Sequence, residues 1–235
     1  IAAAKNNGTR VIELQHGLIS KNDLYYVYED QYSDAIQNGF FADEFWCLGK
    51  YWSDKFKESA ESNHIKFVVK GDYRWKGAAE VATSKENVIV ITTQKNMARP
   101  YLQLIRSVEK ILIDYPHWKC QVKLHPLESN SELYVNENYS QQIEILNKDV
   151  SIENVLSYAK IQISIYSTTF YDALGYNVFN LALINSGYSE DYVQEMVEEG
   201  IALSFQMMEN PIERFQNEQT NSSWSRESVF SEYKV

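Results

Sequence analysis

The sequence predicts an α/β protein built on mainly parallel sheets. Short apolar runs alternate with segments of helical period, as in repeated βα units. One of these runs, Val88-Ile89-Val90-Ile91, is β-branched throughout, as a strand buried on both faces should be. Three of the runs end in polar phrases: Gln15-His16-Gly17, His125-Pro126 and Ser167-Thr168-Thr169. Ligands of open α/β sheets bind at the carboxyl ends of the strands. Three such endings, carrying two histidines and a hydroxyl cluster, point to an anionic ligand.

The elements follow in order. Residues 2–7 read as the last turns of a helix stopped at Gly8, the common left-handed terminator. A strand over 10–14 leads into Gln15-His16-Gly17. Residues 20–40 are polar and tyrosine-rich, with a short helix over 33–38 ending at Gly39. A strand over 44–48 turns at Gly49 into an amphipathic helix over 51–62. The strand over 65–69 closes on Gly71-Asp72-Tyr73-Arg74. Residues 76–87, rich in Gly, Ala, Ser and Lys, read as a linker. A second βα series starts with Val88-Ile89-Val90-Ile91. Pro100 suits the first turn of a helix, and Tyr101, Leu104, Ile105, Val108, Ile111 and Leu112 then recur at helical spacing up to Pro116. Strands over 119–124, 143–146, 161–165 and 178–184 follow, with helices over 152–159 and 169–175 between them. Helices over 191–199 and 211–217 come next. The last fifteen or so residues, rich in Ser, Glu and Asn, read as loosely held.

Composition narrows the function. The 235 residues are 44% apolar and 14% aromatic, enough for a real core and for one large domain or two modest ones. A net charge of −10 argues against a general nucleic-acid binder, which needs a basic footprint. It leaves room for a small phosphate-bearing ligand held by local donors. Cys47 and Cys120 lie in apolar runs and read as small buried hydrophobes in a reducing compartment, with no metal-type spacing. No apolar run is long enough to span a bilayer and none reads as a signal peptide, so a cytoplasmic protein is expected, with peripheral attachment to the inner membrane left open. The opening Ile1-Ala2-Ala3-Ala4, without Met, reads as a helix end within a longer chain.

Ser167, Thr168 and Thr169 sit between a strand and a helix, where hydroxyls and backbone N–H groups meet phosphate or, more plainly, cap the helix. Asp172 lies one turn further on the same face. It suits a ribose diol or, equally, the helix dipole. Pro126 restrains His125 to extended backbone, and His125 can donate to a phosphate oxygen as a neutral ring or as imidazolium. Lys123, before it, is expected along the strand surface, and Glu128 lies nearby. Gly17 permits a tight turn and close ligand approach. His16 can serve as a general base, and spacing alone makes no Glu13–His16 dyad. Thr92-Thr93-Gln94-Lys95 ends a strand in the right place for phosphate, with Gln94 at its tip. Without Gly it is neither a Walker loop nor a dinucleotide fingerprint. Arg74 can reach an anion from the end of the first series. No metal-ligand spacing is present.

Three phrases carry a resemblance. Val11-Ile12-Glu13-Leu14-Gln15-His16-Gly17, Lys123-Leu124-His125-Pro126 and Ile165-Tyr166-Ser167-Thr168-Thr169 through Gly175 resemble, in order and spacing, the motifs of bacterial capsule and surface-polysaccharide glycosyltransferases of the GT-B type. That group is similar to the CMP-sugar sialyl- and Kdo-transferases and to the CDP-glycerol glycerophosphotransferases. The resemblance, over about residues 9 to 184, implies a Rossmann-like parallel-sheet donor domain over 81–235. It also implies the C-terminal part of a second, acceptor-side Rossmann-like domain with linker over 1–80, and an active site in the cleft between. By it, His125, Ser167 and Thr168 hold the donor phosphate, Asp172 faces the ribose, and His16 deprotonates an acceptor hydroxyl. The chain departs from the family in carrying Asp172 where Glu is usual and Asn177-Val178 after the helix. The residues after Gly17 and the Gly71-to-Arg74 phrase also differ from the teichoic acid enzymes.

The expected function is therefore transfer of a sugar from a CMP- or other nucleotide-activated donor to a glycan or lipid-linked glycan acceptor, with no cofactor. The alternatives are a CDP-glycerol-type polyol-phosphate transferase and a non-catalytic nucleotide- or glycan-binding module.

Overall fold

The computed structural model describes residues 1–17, 40–59, 65–72, 84–184, 190–218 and 224–233. The expected helix over 33–38 and Arg74 lie outside these residues, as does most of the linker. The chain forms two compact units, Ile1–Ala78 with Ser225–Val235, and Ala79–Trp224.

In the first unit, α1 (Ala2–Asn6) precedes a three-stranded parallel sheet in the order β1 (Ile12–Leu14), β2 (Glu44–Cys47), β3 (Lys66–Val69). Helix α2 (Lys50–Ser59) connects β2 to β3 and buries Trp52 and Phe56. Its Phe56 ring stands 4.6 Å from Phe45 of β2 and 4.8 Å from Phe67 of β3. Such aromatic contacts add about 0.5–1.5 kcal/mol each beyond the area they bury. Glu44 starts β2 almost wholly enclosed, 6% exposed. It accepts from Trp46 Nε1 and Lys66 Nζ, both at 3.0 Å, and pairs with Arg10.

The C-terminal tail belongs to this unit. The sequence reading places it at the end of the second domain and loosely held. Instead α9 (Arg226–Val229) lies beside α2, Val229 is fully buried and Phe230 is 3% exposed. Ser231 donates its N–H to Leu48 O at 2.9 Å, and Asp72 N–H donates to Ser231 O at 2.9 Å. Gly49 makes the approach possible: a Cβ there would lie 2.0 Å from the Val229 carbonyl oxygen. The polar composition of the tail hides two apolar anchors and an edge of backbone groups that pair with the first unit, and these decide its place.

The second unit is a six-stranded, all-parallel sheet in the order β6-β5-β4-β7-β8-β9. Its strands are β4 (Val88–Thr92), β5 (Lys119–Lys123), β6 (Ile143–Leu146), β7 (Ile161–Ser164), β8 (Phe179–Leu183) and β9 (Leu203–Phe205). β4, β7 and β8 are buried at every residue; β4 is apolar up to Thr92, whereas β7 carries Gln162 and Ser164 and β8 carries Asn180 inside. Helices α3 (Ala98–Leu112) and α8 (Pro211–Asn217) cover one face. α5 (Ile152–Tyr158) and α6 (Thr169–Leu174) cover the other. α4 (Glu132–Val135) follows β5, and α7 (Glu190–Glu198) lies between β8 and β9. β9 and α4 are additions to the predicted elements. Both are only three or four residues long, too short to show a period. Cys47 and Cys120 are buried thiols that form no disulfide with each other, and burial pushes the Cys120 thiol up. Among the described residues no helix is long and apolar enough to cross a membrane.

Trp46, Lys66 and Arg10 together hold the Glu44 carboxyl at about 2, below its ordinary 4.5. The stability this gives the first unit is complete above about pH 4.5 and is lost as the pH falls toward 2. Glu44→Gln is expected to flatten that acid limb in thermal melts followed from pH 5 to 2, with the wild type losing more of its melting temperature over the same window.

Candidate functional site

The strand order of the second unit places its ligand end. From β4 the chain winds outward through β5 to β6, then returns to β7 on the other side of β4. The connections after β4 and β7 leave on opposite faces, and the gap between them is where open sheets of this order bind ligands. Four of the predicted residues flank it: Gln94 after β4, His125 after β5, and Ser167 and Thr168 after β7.

Two adjacent threonines at the tip of β4 bind these ends together. Thr93 Oγ1 accepts the His125 backbone N–H at 2.9 Å, and Thr93 N–H reaches Lys123 O at 3.0 Å. Thr92 Oγ1 lies 3.1 Å from Thr169 Oγ1 and accepts from Gln162 Nε2 at 3.1 Å. Ser164 Oγ donates to Thr92 O at 2.7 Å. Tyr101, fully buried on α3, meets Ser164 Oγ at 3.1 Å and accepts Ile165 N–H at 3.3 Å. Burial raises the Tyr101 phenol, so it stays neutral and donates. Gln162, Ser164 and Tyr101 escape a reading of loops and motifs, whereas Thr92 and Thr93 belong to a strand-end phrase that such a reading picks out without the bonds they make. The signal available was a polar residue inside an otherwise apolar strand, which in a core calls for a partner.

Ser167 caps α6. Thr168 precedes the helix with helical dihedrals and makes no side-chain cap, whereas Ser167 Oγ accepts Thr169 N–H at 3.2 Å and the Thr169 hydroxyl at 2.9 Å. α6 has only six residues, so its dipole is weak and the hydroxyls carry this side of the site. α3, with fifteen residues, follows β4 and so starts at the same end of the sheet; it has no side-chain cap at Met97, and Pro100 in its first turn offers no N–H. Asp172 is 5% exposed in the first turn of α6.

His125 stands half-buried in a tight turn. Glu128 N–H donates to His125 O at 2.9 Å, with the exposed Pro126 at the second position, where its fixed φ suits the turn. Leu127 N–H donates to His125 Nδ1 at 3.1 Å. An N–H can only point at a ring lone pair, so the ring proton sits on Nε2. Burial lowers the His125 value; Lys95 and Lys123 lower it further while Glu128 opposes them. His125 thus carries its hydrogen on Nε2, and its surroundings favour the neutral ring. Glu128 is 2% exposed; its Oε1 accepts Asn130 N–H at 2.9 Å, and its Oε2 is buried with no partner among the described residues. Lys123 is not on the surface but 7% exposed, its Nζ donating to Lys148 O at 2.9 Å. The loop after β6 covers it, which the sequence of β5 alone does not reveal.

His16 belongs to the first unit. It is exposed after β1, with Nδ1 3.3 Å from Leu14 O. A carbonyl only accepts, so Nδ1 carries a hydrogen. Gln15 presents this turn. It is 2% exposed, accepts Leu48 N–H at 2.9 Å and donates to Gly17 O at 3.2 Å. Glu13 is half-buried; burial raises its carboxyl and the charge of His16 partly offsets this, so the two are in electrostatic reach. A Cβ on Gly17 would meet no described residue within 4 Å, so crowding is not the reason for glycine there. Among the described residues no group of three His, Cys, Asp or Glu could hold a metal ion.

No protein-family model matches the sequence, and no curated protein sequence is significantly similar to it. Solved structures resemble it in fold. The calicheamicin glycosyltransferase CalG4 superposes with a TM-score of 0.61 at 12% identity, over 97% of this chain and 64% of that one. The fold is that of the GT-B enzymes. A protein described as a putative UDP-N-acetylglucosamine 2-epimerase from Listeria monocytogenes gives 0.57 at 14% identity, over 97% and 67%. S. aureus MnaA, solved with UDP, gives 0.54 at 17%, over 92% and 60%. The chain thus spans about three fifths of the length of MnaA and CalG4.

For His125, an NMR titration of the ring is expected to show the Nε2–H tautomer and a midpoint below the ordinary 6.5. An Nδ1–H tautomer would contradict the donor assignment.

Proposed function

We propose that the chain is the nucleotide-binding part, with a portion of the acceptor side, of a glycosyltransferase that uses a nucleotide-activated sugar. The observation that carries this reading is the set of donors at the switch point of the second unit. These are the Nε2–H of a neutral His125, the hydroxyls of Ser167 and Thr168, and the uncapped start of α3. Donors without a fixed counter-charge suit a phosphate. MnaA, similar in fold, was solved with UDP, and the three sequence phrases resemble the surface-polysaccharide enzymes. In this reading the donor is a CMP- or other nucleotide-sugar, Asp172 and Gln94 lie toward the nucleoside, and the acceptor is a glycan of the cell surface.

The chemistry follows from these roles. As the sugar–phosphate bond breaks, negative charge grows on the departing nucleotide phosphate. Hydrogen bonds from His125 and Ser167 strengthen as it does, which lowers the barrier. By the resemblance of its turn to that of the surface-polysaccharide enzymes, His16 of the first unit is assigned the proton of the acceptor hydroxyl. Gln15 and Pro126 position the two histidines through their turns and touch no reacting atom.

Thermal-shift and calorimetric titrations with CMP, CDP and UDP test the donor site. At least one should raise the melting temperature at millimolar concentration, and His125→Ala should weaken it by about tenfold or more, the effect of one hydrogen bond to a charged group. No shift with any of the three nucleotides would remove the reading. His16→Ala is expected to lower turnover of the active protein by about 10²–10⁴-fold with nucleotide affinity unchanged. Full turnover in that variant would dismiss His16 as the base.

A further inference from the structure

Gln162 is the anomaly of the second unit. It lies in the middle of β7, fully buried, on a strand otherwise made of isoleucine and serine. Its register partners are Val90 and Asn180. Its amide donates to Thr92 Oγ1 and to Thr169 Oγ1, while its own Oε1 is buried with no partner among the described residues. An unsatisfied buried carbonyl destabilises a fold, and an apolar side chain of the same length would avoid it. Asn180 on the next strand, β8, likewise has a buried carbonyl oxygen with no partner among the described residues, but its amide clamps two backbone carbonyls, Phe170 O at 2.9 Å and Ile201 O at 3.1 Å, which is plain structural work. Gln162 spends its donors on hydroxyls instead.

The hydrogen positions follow from counting donors. Gln162 fills an acceptor site on both Thr92 and Thr169, so each hydroxyl hydrogen must go elsewhere. Thr169 donates to Ser167 Oγ at 2.9 Å. The 3.1 Å contact between Thr92 and Thr169 therefore runs from Thr92 to Thr169. Ser167 Oγ receives both the Thr169 hydroxyl and the Thr169 N–H. Its own hydrogen has no place inside the cluster and points away from it. The chain Gln162 → Thr92 → Thr169 → Ser167 is ordered in one direction and ends in an outward O–H.

We propose that Gln162 is a positioning residue that fixes the direction of this hydroxyl chain, so that Ser167 presents a donor to the anionic group of the ligand. The inference rests on the nucleotide reading above and adds a residue that touches no ligand. Gln162→Met keeps the length and removes the amide, freeing the hydroxyls to turn. Gln162→Glu keeps the shape and reverses the order, because a carboxylate accepts from Thr92 and Thr169 and draws the Ser167 hydrogen inward.

The test is a double-mutant cycle read by calorimetry with CMP, CDP and UDP on the wild type, Gln162→Met, Ser167→Ala and the double variant. Gln162→Met is expected to weaken the bound nucleotide about tenfold, with a melting temperature no lower than that of the wild type. The double variant should bind within about threefold of Ser167→Ala alone, because Gln162 acts through Ser167. Gln162→Glu should fold and bind more weakly than Gln162→Met. Additive losses in the double variant, wild-type affinity in Gln162→Met or Gln162→Glu, or a Gln162→Met chain that does not fold would each overturn the inference while leaving the nucleotide reading in place. A wild type that binds none of the three nucleotides removes that reading, and the inference with it.

Discussion

The ligand end of the second unit depends on two neighbouring side chains at the tip of β4. Thr93 holds the backbone of His125 on one side, and Thr92 meets Thr169 and Gln162 on the other. One strand thus sets the relative positions of two loops that lie far apart in sequence and have little else in common. Each bond is worth only about 1 kcal/mol to stability. Their value is geometric: the switch point of a parallel sheet opens a gap there, and hydrogen bonds across the base of the gap keep its walls in register. Thr92 and Thr93 are 3% exposed, so these bonds are shielded from competing water.

The two histidines show how backbone partners choose chemistry. His125 faces an N–H, from Leu127, and His16 faces a carbonyl, that of Leu14. The first ring therefore carries its hydrogen on Nε2 and the second carries one on Nδ1. Identical side chains at the ends of similar strands thus take different backbone partners. The turn at Pro126 and the Gln15 bridge to Leu48 are what fix those partners. Burial and nearby lysines keep His125 neutral, which suits a donor to phosphate without a pH switch near neutrality.

Much of this was legible beforehand. The runs at β4, β5 and β7, the amphipathic α3 and the strand-end phrases follow from hydrophobic period and from residues that punctuate chains. The parts that were not legible share a cause. Tyr101 and Gln162 read as a helix-face aromatic and a strand residue, because the hydroxyls of Ser164 and Thr92 that they serve lie 63 and 70 positions away. Lys123 reads as a surface lysine because its carbonyl partner comes from the loop after β6. The tail reads as polar and loose because composition weighs Val229 and Phe230 lightly against the polar residues around them.

The sequence by itself determined the alternation of strands and helices, the buried character of β4, β7 and β8, and the places where polar groups follow strands. These depend on local period and on the conformational limits of proline and glycine, which act over a few residues. Only the tertiary structure decided the strand order that makes β4 and β7 neighbours, the backbone partner of each histidine ring, the cap role of Ser167 rather than Thr168, and the return of the tail to the first unit. Those depend on which distant donor meets which acceptor. A hydrogen bond is made by position in space, and spacing along the chain does not carry that information.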